Sequence, residues 1–308
     1  MTTLDPAAFA AADEHREKVL VTATQPIGAH VSSSGGIWKA VERGEAIEAE
    51  AIQIFGSAPQ TWRTTKHTPD AYERFRAARS VSGLRAVWLH CPYLPNLAAD
   101  DDEMWEKSVE SVINALTVAE SAGAEGVVLH TGSHRGKGID AVLPRVAAAL
   151  ERILEAAPGA ALLALENAAG QGGTIGKDFV ELGAILRAVS SPRLAVCLDT
   201  CHAYAAGYDL TTSEGMRAML AEVDGEVGVD RLAVMHANDS KMELGSTRDR
   251  HENIGDGHIG AAGFRNILAT AEFQQLPMLL EVPGIDGKGP DLENIRRLKA
   301  LRDEVRNG

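Results

Sequence analysis

Six consecutive apolar segments of the sequence end in a side chain that can bind a metal ion or transfer a proton. An acidic group at the end of an apolar segment is costly to bury unless it is paired or metal-bound. Imidazole and carboxylate together form the donor set of zinc, and they also suit manganese and iron. The six residues stand in the strings WLHC, VLHT, ALEN, CLDT, VMHA and LLEV and are His90, His130, Glu166, Asp199, His236 and Glu281.

Three more donors extend this set. His202 follows Asp199 in CLDTCH, and Asp249 and His251 stand two positions apart in a long loop, so in extended chain both would point to one side. A single histidine at a strand end is more often a hydrogen-bonded structural residue, but that explanation would have to hold for six segments in succession. Nine donor residues are too many for one metal ion, so the pattern predicts two or three metal ions.

The apolar segments themselves number eight, and most lack the polar alternation of a half-exposed strand. They cover residues 27–31, 51–55, 86–89, 126–129, 161–165, 194–198, 232–235 and 277–280. Continuous apolar character is typical of parallel strands buried on both faces. Helical patterns lie between them, for example at 104–122, 139–157 and 178–189.

A strand and a helix repeated eight times predict a (β/α)8 TIM barrel of class α/β, with the active site at the C-terminal face of the strands. A doubly wound open sheet is the alternative. It usually carries a GxGxxG turn after its first strand, and GAHVSSSGG does not have that form.

The sequence predicts one barrel domain, residues 25–308, after an N-terminal extension of residues 1–24 that is helical or frayed. The first residues lack the basic and apolar regions of a secretory signal, and no apolar run approaches the roughly 20 residues that span a bilayer. Three cysteines fit a reducing compartment better than a disulfide framework. We therefore expect a cytoplasmic protein without a membrane partner.

The net charge of −13 argues against a nucleic-acid partner, because a phosphate backbone attracts basic surfaces. Several basic residues nevertheless fall in or near the strand-to-helix loops, where they would form a basic rim on an acidic body. The alternative, solvated loop charges, stays open for each of them. They are Arg63, Lys66, Arg135, Lys137, Lys241, Arg248 and Arg250.

The order of motifs resembles the endonuclease IV family of apurinic/apyrimidinic endonucleases. The resemblance runs from about residue 27 to the C-terminal region through GAHVS, LHCPYL, VLHTGSH, LENAAGQG, CLDTCHAYAAGYDL, HANDSK, DRHENIGDGHIG and LLEVP. It implies a monomeric barrel that uses three zinc ions to hydrolyse double-stranded DNA on the 5′ side of abasic sites, leaving a 3′-hydroxyl and a 5′-deoxyribose phosphate. Manganese or iron are alternatives at some sites.

Carried over residue by residue, the resemblance implies three metal sites and Glu166 as the catalytic residue. His90, His130 and Glu166 would form the first site. Glu166 would bridge to the second site, which Asp199, His236 and Glu281 complete. His202, Asp249 and His251 would form the third.

The resemblance also implies DNA contacts, and here the sequence departs from the family. Tyr93 matches an aromatic residue that enters the DNA stack. In GSAPQTW, Gln60 stands where family members have an arginine that also enters the stack. Arg250, between two metal ligands, is the third expected contact. The change at Gln60 affects lesion recognition rather than the metal chemistry.

Two other functions compete with this interpretation. A sugar isomerase or epimerase on the same kind of barrel would need only Glu166, Asp199, His236 and Glu281 around a single metal ion. The other five donors have no purpose in such an enzyme, and the metal content per chain would separate the two. A non-catalytic binder of damaged DNA is the second alternative, although a binder gains little from a complete set of metal ligands.

Overall fold

Eight parallel strands close into a barrel in the computed structural model, which describes residues 24–308. The last strand pairs with both its predecessor in the barrel and the first strand, which closes the ring and confirms the predicted TIM barrel. The barrel strands are β1 (Ile27–His30), β2 (Ala51–Phe55), β3 (Ala86–His90), β4 (Gly126–Leu129), β5 (Leu162–Glu166), β6 (Leu194–Asp199), β7 (Leu232–His236) and β10 (Met278–Leu280). Between β7 and β10, the short strands β8 (Asp239–Ser240) and β9 (His251–Glu252) pair antiparallel outside the barrel.

Helices alternate with the strands. They are α1 (Lys39–Ala46), α2 (Pro69–Val81), α3 (Asp102–Ala122), α4 (Ile139–Ala156), α5 (Phe179–Val189), α6 (Thr200–Ala206), α7 (Ser213–Glu226), α8 (Gly260–Ala269) and α9 (Leu292–Asn307). The acidic cluster before α3 starts that helix, since the Asp101 carboxylate accepts from the Met104 amide at 2.8 Å. In the described part of the chain, no helix has both the length and the apolar character to cross a membrane.

The predicted N-terminal extension, residues 1–24, falls outside the described residues except for Thr24. Its separation from a domain of residues 25–308 therefore stays a prediction.

Side chains alternate between two cores along each strand. In β3, Val87 and Leu89 face outward to the apolar layer between strands and helices, whereas Ala86 and Trp88 belong to a separate cluster inside the barrel. Four of the eight strands, β2, β3, β5 and β6, contribute an alanine to this inner cluster, which leaves room for the indole of Trp88. The next inward position in β3 is His90, so the same alternation that fills the barrel delivers a polar side chain to its carboxyl mouth.

Candidate metal centre

Polar side chains meet at the carboxyl mouth of the barrel because each lies two residues beyond an inward-facing core position. His130 and Glu281 directly follow the last residues of β4 and β10. Four strands end on a potential ligand that is at most 1% exposed: His90, Glu166, Asp199 and His236.

The carboxylate of Glu166 lies at the middle of this group. Its Oε2 atom is 3.3 Å from His90 Nε2 and 3.4 Å from His130 Nε2. Its Oε1 atom is 3.0 Å from His236 Nδ1 and 3.2 Å from His202 Nδ1. One carboxylate therefore faces four imidazoles, two with each oxygen.

A second group forms around His236. Its Nδ1 atom lies 3.5 Å from Glu281 Oε2 and 3.7 Å from Asp199 Oδ2. Asn238 holds both acids in place, because its amide nitrogen donates to Asp199 Oδ2 at 2.7 Å and its oxygen accepts from the Glu281 amide at 2.7 Å. Asn238 thus links the carboxylate of Asp199 to the backbone of Glu281.

A third group depends on a helix and a loop. Asp199 caps α6 by accepting from the His202 amide at 2.7 Å, which places His202 one turn into the helix beside the strand ends. The Asp249 carboxylate lies between two rings, with Oδ2 3.2 Å from His202 Nε2 and Oδ1 3.2 Å from His251 Nε2.

The buried carboxylate of Asp239 organises the loop that carries this third group. It accepts backbone N–H bonds from Ser240, Gly255, Gly257, Ile259 and Gly260 at 2.8–3.2 Å. A side chain at Gly257 would collide with this carboxylate, so the loop requires glycine there. The β8–β9 pair then fixes Asp239 opposite Glu252 and Ser240 opposite His251.

The Nδ1 atoms of three imidazoles lie within hydrogen-bond distance of backbone carbonyl oxygens. His90 Nδ1 lies 2.6 Å from the Cys91 carbonyl, His202 Nδ1 2.9 Å from the Asn167 carbonyl and His251 Nδ1 3.2 Å from the Glu281 carbonyl. A carbonyl only accepts, so each Nδ1 donates its proton to that oxygen, and the Nε2 atoms of these rings face the candidate ligands. This orientation is the one that metal-binding histidines adopt.

Burial and mutual contact shift pKa values in opposite directions here. Burial lowers the pKa of His130 to about 4, so this ring is neutral at pH 7. Burial also disfavours charge on His251, yet the contact with Asp249 outweighs it and the pKa rises to about 9. Burial acts to raise the pKa of Glu166, but the surrounding imidazoles, His130 foremost, hold that pKa well below its usual range.

The chemistry of the centre fits divalent cations. Within residues 24–308, none of its four carboxylates pairs with a lysine or arginine. The buried Nε2 atom of His251 has no hydrogen-bond partner in that range, although it faces two acids. Four groups of residues 24–308 have donor atoms within 4.8 Å of one another: His90–His130–Glu166, Glu166–Asp199–His236, His202–Asp249–His251 and Asp199–Cys201–His251. Eight of the nine predicted donors belong to these groups, and the ninth, Glu281, lies 3.5 Å from His236 Nδ1, so all nine lie at one mouth of the barrel.

The three predicted DNA contacts lie in loops at the same face. Tyr93 follows β3, is 54% exposed, and its ring stands 5.6 Å from that of His90. Its amide donates to the Pro59 carbonyl at 3.0 Å, which ties its loop to the one that carries the exposed Gln60. Arg250 is exposed next to Asp249, whose backbone oxygen accepts from its guanidinium at 2.7 Å.

Sequence reasoning missed Gln53, Asn238 and Asp239, which hold the candidate ligands without belonging to them. A signal for Gln53 existed, since it lies two residues after the inward-facing Ala51, just as His90 follows Trp88. His30 also contacts the candidate ligands, since its Nδ1 atom lies 3.2 Å from Glu281 Oε1.

The closed eight-stranded barrel makes this chain a TIM-barrel protein, and the comparisons with known proteins agree. A family model described as a xylose isomerase-like TIM barrel matches residues 41–303. Among solved structures at lower identity, a D-tagatose 3-epimerase-like protein aligns with 91% of this chain and 97% of its own at a TM-score of 0.67 and 19% identity, which shows the fold alone.

Closer relatives narrow the class. The probable endonuclease 4 of Methanoculleus marisnigri is 42% identical over 277 residues, 89% of this chain and 98% of that protein. The probable endonuclease 4 of Halorhodospira halophila is 41% identical over 88% of this chain and 92% of that protein. The crystal structure of endonuclease IV from Thermus thermophilus covers 91% of this chain and 99% of its own, at a TM-score of 0.80 and 37% identity. The chain belongs to the endonuclease IV family, which confirms the resemblance and the prediction of a hydrolytic nuclease.

Proposed function

We propose that this nuclease hydrolyses double-stranded DNA on the 5′ side of abasic sites, leaving a 3′-hydroxyl and a 5′-deoxyribose phosphate. The observation that carries the proposal is the convergence of nine imidazole and carboxylate side chains around Glu166. We further propose that the enzyme acts as a monomer in the cytoplasm.

The centre would hold three zinc ions, with manganese or iron as alternatives at some sites. When bound, such cations supply a water nucleophile near neutral pH and stabilise negative charge on phosphate and leaving oxygens. Glu166 would be a ligand in both of the first two sites. The proposed ligand sets are His90, His130 and Glu166; Glu166, Asp199, His236 and Glu281; and His202, Asp249 and His251.

The chain also offers room for the substrate beside these ligands. A pocket of about 340 Å³ borders His130, His202 and Asp249, and Pro95 and Ile175 lie on its wall. A pocket with a few polar groups and apolar walls suits a sugar-phosphate unit and limits access of bulk water to it.

DNA would be bound by the loops around this pocket. Tyr93 presents an exposed ring close to the centre and can stack against a base next to the lesion. Gln60 in the adjacent loop would reach the same stretch of DNA, and Arg250 would contact a phosphate. The remaining basic loop residues are at least partly exposed, as a phosphate-binding rim requires.

A duplex with one abasic site and an otherwise identical intact duplex test the proposal. Zinc-loaded protein should cut only the duplex with the abasic site, on the 5′ side of that site. A strong chelator should abolish cleavage until zinc is restored. End-group analysis of the products and elemental analysis of the protein, with about three zinc ions per chain expected, complete the experiment.

Three outcomes would contradict the proposal. Equal cutting of both duplexes would remove the abasic specificity. Binding of the abasic duplex without cleavage at any metal concentration would favour the alternative function, a non-catalytic binder of damaged DNA. About one metal ion per chain, with turnover of a ketose or aldose, would favour the single-metal sugar isomerase on Glu166, Asp199, His236 and Glu281.

A further inference from the structure

Gln53 is a fully buried amide at the carboxyl mouth of the barrel. It lies in β2 between Ile52 and Ile54, which face the outer core, so its own side chain points inward. Burying an amide is costly unless its donors and its acceptor find hydrogen-bond partners. Strand β2 contributes none of the nine candidate ligands, so the reason for a polar residue at this position must lie in its contacts.

Its contacts join two candidate ligands of the same site. The amide oxygen lies 2.9 Å from His236 Nε2, and the amide nitrogen donates to Glu281 Oε1 at 2.7 Å. His30 Nδ1 lies 3.0 Å from the same amide nitrogen and 3.2 Å from Glu281 Oε1. These residues come from strands far apart in the chain, and closure of the barrel brings them together.

Only one orientation of the amide satisfies both ligands. An ionised carboxylate only accepts, so the amide nitrogen has to face Glu281. The amide oxygen then faces His236 and accepts the Nε2 proton of that ring. This leaves the lone pair of His236 on Nδ1, the atom that faces Glu166, Asp199 and Glu281.

We infer that Gln53 is a positioning residue that fixes the tautomer of His236 and the orientation of Glu281 together, and so sets the affinity of the second metal site. The inference rests on the proposed function. Gln53 has no hydrogen bond, among residues 24–308, to His202, Asp249 or His251, so the third site should be independent of it. Partners of this kind typically contribute about 10–100-fold to metal affinity.

The test is a zinc titration of the chelator-stripped full chain against a chromophoric competitor. Gln53→Met keeps the side-chain length and removes both hydrogen bonds. We expect one of the three sites to weaken by about 10–100-fold and the other two to keep their wild-type affinities. In cobalt-substituted protein, the visible absorption of that one site should change as well.

A matched control distinguishes positioning from general loss of stability. Gln25 is also a buried glutamine, 1% exposed, but it lies at the opposite mouth and bonds to the Leu268 carbonyl at 3.1 Å. Gln25→Met should destabilise the fold while leaving all three zinc affinities unchanged. If Gln53→Met does not fold, Gln53→Asn, which is too short to reach both ligands, should show the same single-site loss on the order of tenfold.

The outcomes separate this inference from the proposed function. Unchanged zinc affinities in Gln53→Met, or equal weakening of every site, would overturn the role of Gln53. If wild-type protein still binds three zinc ions and cuts abasic DNA in that case, the proposed function stands. Wild-type protein that binds no zinc would overturn both.

Discussion

The two mouths of the barrel handle buried charge in opposite ways. At the amino mouth, Glu50 accepts from the Ile27 amide at 3.0 Å and pairs with Arg302 at 2.7 Å and Lys299 at 3.2 Å. Arg302 also donates to the Gln25 carbonyl at 2.7 Å. At the carboxyl mouth, the acids of the metal centre pair only with imidazoles within residues 24–308.

The difference shows which mouth serves stability and which serves chemistry. Charges at the amino mouth are matched by permanent opposite charges and link α9 to β1 and β2. Within residues 24–308, those at the carboxyl mouth have no such partners, as we expect of side chains that would bind a cation. TIM-barrel enzymes have their active sites at the carboxyl mouth, because the loops there can vary without disturbing the barrel.

The largest effect should come from Glu166→Gln. Loss of the charge between the first two sites should lower the cleavage rate of abasic DNA by about 10³-fold or more. The melting temperature of the metal-free variant should stay within about 5 °C of wild type, because glutamine keeps the shape of the side chain. Near-normal turnover would show that Glu166 is not shared between metal sites and would weaken the contrast between the mouths.

Glu50→Gln at the amino mouth should have a smaller effect, and it should change stability rather than activity. It should lower stability by about 2 kcal/mol, or the melting temperature by about 4 °C, and leave the activity of the folded enzyme unchanged. Glu48→Gln is the control, because Glu48 forms its ion pair with Arg296 on the surface and should contribute little. A loss of activity at constant stability would contradict the division of roles.

The Glu50 effect should also depend on pH. Burial acts to raise the pKa of Glu50, but Arg302 and the Ile27 amide lower it below its ordinary value of 4.5. A carboxyl with a depressed pKa stabilises the fold above that ordinary value and loses the contribution as the pH falls through the lowered pKa. The difference in melting temperature between wild type and Glu50→Gln should therefore shrink below pH 4.5 and be constant at neutral pH.

The smallest effect concerns the rim of the carboxyl mouth. Gln60→Arg restores the guanidinium expected from the family and adds one phosphate-binding charge. Affinity for abasic duplex should rise a few-fold at low salt, and the slope of log K against log salt should steepen by about 0.9. Gln60→Lys, which adds the same charge without the planar group, should steepen the slope equally but gain less affinity. An unchanged slope in both variants would place Gln60 away from the DNA.

The sequence predicts the barrel well because its signals are local. Eight apolar segments mark the strands to within a residue or two, and a polar residue ends most of them in a fixed phase with the core. Nine candidate ligands can therefore be found from the sequence alone. Each is visible from its own strand or motif, such as His90 after Trp88 in β3.

The rest depends on distant pairings. Gln53 and Glu281 are 228 positions apart, and nothing near Gln53 in the sequence indicates its partner. The β8–β9 pair has only two residues in each strand, too few for a periodic pattern. The sequence around Asp239 does not indicate that its carboxylate accepts from backbone amides 16–21 positions further along the chain.

Asp239 has a consequence for how the third group forms. Its carboxylate accepts the backbone amides of residues 255, 257, 259 and 260, so the loop that carries Asp249 and His251 is held by hydrogen bonds within the protein. The donors of the proposed third site are thus preorganised, so a cation bound there would have little conformational entropy to remove. We therefore expect the affinity of the proposed third site to depend partly on Asp239, which belongs to none of the proposed ligand sets.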